Sequence, residues 1–327
     1  MSNVLIHRYL PQCKTVSQPP GLADFLKGTA YLYQQSLVGK NQPAYELVVD
    51  FSHHPMGVFI LPQEEHLQKY GCGIRSVVED NHAYSEGLRR SPEEYGALIR
   101  RNDVEVMECF NQNRPIIQNI VATLQNHPET CPPVTYAVCH EPYDQFDSND
   151  FVLDPSAQSF MKSVLNFTPE LRECADHLLE QLYLNNQEFV VIHLRMGDQQ
   201  SGEPRDNAQQ LSKIEDYIQD ILIPKWGNRI LIISDSFYTK KYLCTKYRLR
   251  GTDIQPVHMG EAKRFLNRNE SASPTDIGNT LIEFMLMSRA QTIYVYSVYG
   301  WNSGFSKLCG HIYQIPYVPM QVNLTET

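Results

Sequence analysis

The second half of the chain alternates short apolar runs with helical patterns, and this alternation limits the possible folds more than any other feature of the sequence. Runs typical of buried strands occur at EFVVIHLRM, RILIISDS, DIQPVHM and TIYVYSV, the last of which we take as the final strand. Between them, apolar residues recur at helical spacing in LSKIEDYIQDILIPKW, SFYTKKYLCTKY and TDIGNTLIEFMLMSRA. Strands separated by helices favour a parallel sheet with helices on its faces.

The first half shows a shorter version of the same pattern. VLIHRYL reads as a strand, PPGLAD as a turn, FLKGTAYLYQQSL as a helix and ELVVDFS as a second strand, which is the layout of a βαβ unit. Residues 92–127 have a helical pattern that Pro115 interrupts, and TYAVCHEPY supplies another strand. Thr168-Pro169 starts a further helix, LRECADHLLEQLYL. The fold class is therefore α/β.

A chain of 327 residues exceeds the usual size of one compact core, so two domains are expected. We place them at 1–165 and 166–327, with a cleft between them where a ligand can bind. The acidic segment DQFDSNDFVLDP just before this boundary reads as a linker or a solvated surface loop.

Charge and cysteine usage exclude several functions. A formal charge of −9 argues against a protein that wraps nucleic acid. No apolar run approaches the roughly 20 residues needed to cross a bilayer, and no secretory signal is visible, so a soluble, cytoplasmic protein is expected. The eight cysteines are scattered without a CxxC pair, which favours reduced, mostly buried thiols over a zinc site.

The sharpest local feature is VVIHLRMGD, an apolar strand that ends abruptly in polar residues. The carboxyl ends of parallel strands are where open α/β sheets bind ligands. His193, Arg195 and Asp198 fall there, and the fork of donors on an arginine can hold a diphosphate. A plain ion pair between Arg195 and Asp198 is equally compatible with these residues.

A second candidate is the run SVYGWNSGFS, residues 297–306, which follows the strand TIYVYSV and leads into a short helix, KLCGHI. Small residues at a helix start expose backbone N–H groups that favour an anionic phosphate. On the residues alone, a simple capping loop is the more common explanation.

Taken together, these stretches resemble the superfamily of inverting fucosyltransferases, which contains the α1,2 and α1,6 enzymes, rhizobial relatives and protein O-fucosyltransferases. VVIHLRMGD is similar to its His-x-Arg strand end, IEFMLMSRAQTIYVYS to its acid-(x)4-Ser helix, SGFS to its Ser-x-Phe-Ser loop and PPGLADFLKGTAYL to its Gly-rich loop. The resemblance covers about the last 140 residues and this loop. It implies a GT-B fold of two facing Rossmann-like domains, with the nucleotide sugar held mainly by the second.

Residue roles follow from the resemblance position by position. Arg195 would contact the β-phosphate of the donor, with His193 and Asp198 in the same pocket. The diphosphate loop would comprise Ser303, Gly304, Phe305 and Ser306. Glu283, five residues before Ser288, would bind guanine or ribose, since a carboxylate can accept both N1–H and N2–H of guanine; a solvated helix position is the alternative.

Two further carboxylates are candidates. Asp24 closes the Gly-rich loop Gly21-Leu22-Ala23-Asp24 and would act as the base, although a helix N-cap is the favoured alternative. Nearby, Lys27 either assists the phosphate or is exposed. Asp235, in IISDS, ends a strand and would position donor or acceptor hydroxyls, or else cap the next helix.

The implied reaction transfers a sugar from a GDP-sugar to a hydroxyl with inversion, without a required metal and with no cofactor besides the donor. The resemblance implies GDP-fucose as the donor. Met196 stands where many members of the superfamily carry a second arginine, and this departure leaves another GDP-sugar open. The acceptor, a glycan, a glycolipid or a protein hydroxyl, is unspecified. A catalytically silent sugar-nucleotide or glycan-binding module is the main alternative; a dinucleotide or phosphoester enzyme is disfavoured because GxGxxG and GxxxxGK[ST] are absent.

Overall fold

In a computed structural model, the chain divides into two compact units. The structure describes residues 3–9, 21–38, 43–51, 55–61, 106–109, 121–127, 134–139, 153–185, 187–197, 208–254, 274–299 and 303–320. The described residues up to Thr168 belong to the first unit. Those from Pro169 onward, apart from Pro274, belong to the second.

The first unit contains a four-stranded sheet in which every pairing is parallel. Its strands have the order β2-β1-β4-β3. In chain order the elements are β1 (Asn3–Arg8), α1 (Leu22–Leu37), β2 (Tyr45–Asp50), a 3-10 turn (Pro55–Phe59), β3 (Val106–Cys109), helical residues 121–126, β4 (Val134–Cys139) and α2 (Pro155–Val164). The predicted β1, α1 and β2 are confirmed, so the βαβ unit is present.

Two segments of the first unit differ from the sequence prediction. Val106–Cys109, within the stretch expected to be helical, is a strand that pairs with β4. Such a short run cannot be assigned by periodicity alone, because the hydrogen bonds of the neighbouring strand decide it. The acidic segment expected to be a linker or loop ends in α2, where Asp154 accepts a hydrogen bond from the backbone N–H of Ser156 at 2.7 Å and Pro155 follows as the first helical residue.

The second unit contains a five-stranded sheet with the order β7-β6-β5-β8-β9, again with parallel pairings. Its elements are α3 (Pro169–Gln181), β5 (Val190–Arg195), α4 (Ala208–Tyr217), a π-helical turn (Ile218–Leu222), α5 (Ile223–Trp226), β6 (Ile230–Ser234), α6 (Phe237–Tyr247), β7 (Arg250–Gly251), α7 (Pro274–Met287), β8 (Thr292–Ser297), α8 (Gly304–Tyr313) and β9 (Tyr317–Pro319). Both sheets confirm the predicted α/β class.

One strand prediction in this unit was wrong, and another falls mostly outside the described residues. Of the strand expected at DIQPVHM, residues 255–259 lie outside the described residues, and Asp253 and Ile254 are not in a strand; a short strand precedes them at Arg250–Gly251. TIYVYSV is not the final strand, because β9 pairs with β8 after it. Strands of two or three residues are too short to show an alternating pattern, and their pairing depends on the edge that the longer strands leave open.

The core of the second unit explains its longest apolar run. β5 is the central strand, and Val190, Val191, Ile192 and Leu194 are completely buried between the helices. The strands end in register, with Leu194 beside Ser234 of β6 and Arg195 beside Ser297 of β8. Residues that follow β6 and β8 therefore lie next to Arg195.

The helices of both units are too short or too polar to span a membrane. Within the described part of the chain, none of them combines the length and the apolar character that crossing a bilayer requires.

Candidate functional site

Arg195 is the last residue of β5, and its side chain is held at the strand end by an ion pair. Nη1 donates to Oδ2 of Asp235 at 2.6 Å, and 13% of the side chain stays exposed. The partner considered from sequence, Asp198, lies outside the described residues. Because β5 and β6 are adjacent and parallel, the residue after β6 is the one that reaches Arg195.

Asp235 also fixes the backbone that follows β5. Its Oδ1 accepts from the N–H of Met196 at 2.7 Å and its Oδ2 from the N–H of Gly197 at 3.1 Å. The alternative that Asp235 caps the next helix is wrong, because the N-cap of α6 is Ser236, whose hydroxyl accepts from the N–H of Thr239. Asp235 thus orients Arg195 and the chain behind it.

Tyr299 flanks Arg195 on another side, which the sequence did not indicate. Its ring centroid lies 5.8 Å from Cζ of Arg195, within cation–π range. Gly197 has φ +98°, and a Cβ there would come within 3.1 Å of the Tyr299 hydroxyl. Its position could have indicated this contact, because Tyr299 closely follows β8, which pairs with β5 on the side opposite β6.

His193 links β5 to the start of α8. Its Nδ1 lies 2.9 Å from Oγ of Ser306, and the ring is 6.0 Å from that of Phe305. Burial lowers the pKa of His193 to about 4; Asp235 opposes this shift and Arg195 adds to it. His193 is therefore neutral at physiological pH, and it holds the SGFS loop against the strand that carries Arg195.

The amino end of α8 is formed by the predicted loop. Ser303 is the N-cap, but its side chain makes no capping hydrogen bond. Gly304, Phe305 and Ser306 form the first turn, where backbone N–H groups and the helix dipole favour an anion. The ring of Phe305 packs against that of Phe284 at 5.2 Å, which anchors the turn on α7.

Glu283 is buried on α7 and forms an ion pair. Its Oε1 lies 3.0 Å from Nζ of Lys240 and 3.4 Å from Oγ1 of Thr252. The alternative of a solvated helix residue is wrong, because only 3% of the side chain is exposed. Burial has the largest effect and raises the pKa of Glu283; Lys240 and Thr252 oppose this rise without cancelling it, and Asp235 adds to it.

The Gly-rich loop belongs to the first unit. Gly21 is the N-cap of α1, Leu22 is buried and Ala23 is half-buried, so the cap alternative for Asp24 is wrong. Asp24 lies in the first helical turn with 42% of its side chain exposed and one oxygen 4.0 Å from Nζ of Lys27. Lys27 is itself buried.

The second unit thus gathers most of the predicted residues at the carboxyl end of its sheet. Arg195 and Asp235 form one cluster, and His193 joins it to the Ser303–Ser306 turn. Among the described residues no group of three or more His, Cys, Asp or Glu side chains is arranged to hold a metal ion. Of the described thiols, Cys309 is buried, Cys244 is partly buried and Cys174 is exposed.

Comparison with solved structures identifies the fold. Fucosyltransferase NodZ from Bradyrhizobium matches with a TM-score of 0.52 at 12% identity over 94% of this chain and 92% of that one. NodZ α-1,6-fucosyltransferase soaked with GDP-fucose gives 0.53 at 12% identity over 95% and 93%. The fold is that of these fucosyltransferases.

A plant structure gives the same result. A point mutant of Arabidopsis thaliana FUT1 in complex with GDP matches with a TM-score of 0.55 at 12% identity, over 99% of this chain and 72% of that one. No protein-family model and no curated protein matches the sequence. The likeness is therefore one of fold, that of GT-B fucosyltransferases.

Proposed function

We propose that the protein is an inverting, metal-independent glycosyltransferase that uses a GDP-sugar, with GDP-fucose as the expected donor. The observation that carries the proposal is the contact between His193 and Ser306, 2.9 Å long. It brings β5, which ends at Arg195, next to the first turn of α8, so a guanidinium and a set of backbone N–H groups lie at the same end of the sheet. Both groups bind phosphate well.

In this proposal, Arg195 holds the β-phosphate of the donor. A guanidinium has five N–H donors in a fixed plane, so it can contact Asp235 and a phosphate oxygen together. Asp235 and the Tyr299 ring limit its motion before the donor arrives, which reduces the entropy lost on binding. Backbone N–H groups of the Ser303–Ser306 turn contact the same diphosphate.

Met196 occupies the position at which many members of the superfamily carry a second arginine. Met196, the next residue, is buried in the core of the second unit and contributes no charge. Stabilisation of the departing GDP therefore depends on Arg195 and on the N–H groups at the start of α8. Glu283 reads the base: an ionised carboxylate accepts from N1–H and N2–H of guanine, and adenine has no matching pair of donors.

The reaction is an in-line displacement at the anomeric carbon. The bond from that carbon to the β-phosphate oxygen breaks, GDP leaves with the electron pair, and the acceptor oxygen bonds to the opposite face of the sugar. Bond breaking runs ahead of attack, through an oxocarbenium-like state. Asp24 takes the hydroxyl proton, and Asp235 acts on the donor side through its contact with Arg195. The acceptor hydroxyl belongs to a glycan, a glycolipid or a protein.

The test is a donor panel with matched variants. GDP-fucose, GDP-mannose, UDP-glucose and ADP-glucose are incubated with the protein, and release of the nucleoside diphosphate is measured with and without mixed glycan acceptors. We expect turnover of GDP-sugars alone, and a loss of about a hundredfold or more in Arg195→Ala. Arg289→Ala, which removes a surface arginine paired with Asp176, serves as the control and keeps full activity.

Two results would contradict the proposal. GDP binding without turnover of any GDP-sugar would identify a silent binding module. Turnover that persists unchanged in Arg195→Ala would remove the phosphate role of that residue.

A further inference from the structure

Lys240 is a buried cation that the proposed reaction does not use. It lies in the first turns of α6, with 2% of its side chain exposed, and its ammonium has three acceptors. These are Oε1 of Glu283 at 3.0 Å, Oγ1 of Thr252 at 3.2 Å and the carbonyl oxygen of Ile254 at 2.5 Å. The three acceptors match the three protons of the ammonium, so its position is fully specified.

The burial of a lysine–glutamate pair is not explained by stability, because such a pair contributes little to the free energy of unfolding. Desolvating two charges offsets most of their attraction, and apolar replacements of such pairs are often neutral or stabilising. The pair lies close to the candidate site: the charge of Asp235, the residue that holds Arg195, acts on Glu283. On α7 the next residue, Phe284, packs against Phe305 of the SGFS turn.

The two hydrogen bonds of Glu283 fall on the same carboxylate oxygen. Lys240 and Thr252 both contact Oε1. Two donors therefore restrain Oε1, and neither of them occupies the second oxygen, Oε2. A protonated carboxyl would present an O–H there and would repel the N–H donors of guanine.

We propose that Lys240 is the positioning residue for nucleotide-base recognition: its ion pair holds Glu283 in place and favours the ionised carboxylate, and thereby sets the preference for guanine over adenine. This inference rests on the proposed function. The charged groups around Glu283 are Lys240 from α6 and Asp235 after β6, one favouring the ionised carboxylate and one opposing it. Without Lys240, burial and Asp235 both favour the protonated form.

The test measures the affinities of GDP and ADP by calorimetry for the wild type, Lys240→Met and Lys241→Met. Lys241 is exposed on the same helix and is the matched control. We expect Lys240→Met to bind GDP at least about tenfold more weakly than the wild type, because the charge-assisted hydrogen bonds between Glu283 and guanine are weakened. Its affinity for ADP should stay within about twofold of the wild-type value. Lys241→Met keeps both affinities.

A pH series separates positioning from a structural role. In Lys240→Met the affinity for GDP should rise from pH 6 to pH 8, because Glu283 then ionises only at higher pH, while the affinity for ADP stays level. Equal loss of GDP and ADP affinity, or an unchanged ratio, would overturn the inference. Should Lys240→Met not fold, Lys240→Gln, which is polar but uncharged, gives the same comparison. A wild type without guanine preference would instead refute the proposed function, and the inference with it.

Discussion

A charged side chain at the end of a buried strand needs partners, and Arg195 shows how this protein supplies them. Asp235 neutralises its charge at 2.6 Å and also binds the two backbone N–H groups that follow β5. Tyr299 covers the guanidinium from the side. Each partner follows a strand adjacent to β5, so the geometry of the arginine is a property of the parallel sheet.

Replacing Gly197 should disturb this arrangement. Its φ of +98° disfavours a side chain, and a Cβ would also approach the Tyr299 hydroxyl at 3.1 Å. We expect Gly197→Ala to reduce the free energy of unfolding by about 2 kcal/mol, measured by urea denaturation. Gly227→Ala is the control for backbone strain alone, because its backbone (φ +58°, ψ −126°) also disfavours a side chain but open space surrounds the position. Equal losses would show that the contact with Tyr299 is unimportant.

His193 predicts a pH dependence of stability. Burial lowers its pKa in the folded state to about 4 from 6.5, so below pH 6.5 the unfolded chain takes up the proton first. The stabilising contribution is complete above pH 6.5 and declines as the pH falls toward 4. Between pH 7 and pH 5 this one group should remove about 2 kcal/mol.

The measurement compares the wild type with His193→Asn, which retains a polar atom for Ser306. Denaturant unfolding at pH 5 and pH 7 should give a smaller pH effect in the variant, by about 2 kcal/mol. Parallel behaviour of the two proteins would show that His193 is not held neutral.

At the scale of elements, two helix starts perform different tasks. Asp154 caps α2 through its side chain, whereas Ser303 begins α8 without a side-chain cap. The Ser303 hydroxyl caps no backbone group, and we expect it to donate to a phosphate oxygen beside the N–H groups of the turn. Ser303→Ala should therefore leave the midpoint of thermal unfolding unchanged and weaken GDP binding by about tenfold, through the loss of that hydrogen bond. Asp154→Ala should lower that midpoint and leave GDP affinity unchanged. Thermal unfolding with and without GDP checks both, and a reversed outcome would assign Ser303 to structure.

The long elements could be predicted from the sequence, and the short ones could not. Most of VVIHLR is apolar because β5 is buried on both faces. The apolar run identified the strand, and the polar residues that follow it identified the strand end. The two-residue β7 and the three-residue β9 carry too few side chains for a pattern. They form where β6 and β8 present unpaired backbone groups, which is information outside the segment itself.

The same limit applies to the candidate site. Arg195, His193 and the SGFS turn are contiguous motifs, and a linear pattern reveals them. The pairings of Arg195 with Asp235 and of Lys240 with Glu283 join residues 40 and 43 positions apart. Lys240 and Lys241 look alike in the sequence, and only the packing of α6 buries one and exposes the other.

At the scale of the whole molecule, we expect the nucleotide to bind to one of the two units. All described residues proposed to bind GDP lie in the second unit, and Asp24 lies in the first. Saturating GDP should therefore slow hydrogen exchange at 195–197, along α7 and in the first turn of α8, by at least about tenfold. Exchange in β1 should stay unchanged. Protection confined to the first unit would contradict this assignment.

The phosphate role of Arg195 can be tested by the affinity difference between GDP and GMP, measured by calorimetry in the wild type and in Arg195→Ala. If Arg195 holds the β-phosphate, the wild type binds GDP at least about tenfold more tightly than GMP, and the variant binds the two almost equally. Arg289→Ala should behave as the wild type does. A variant that keeps the full preference for GDP would show that the diphosphate is held elsewhere, and the account would be wrong.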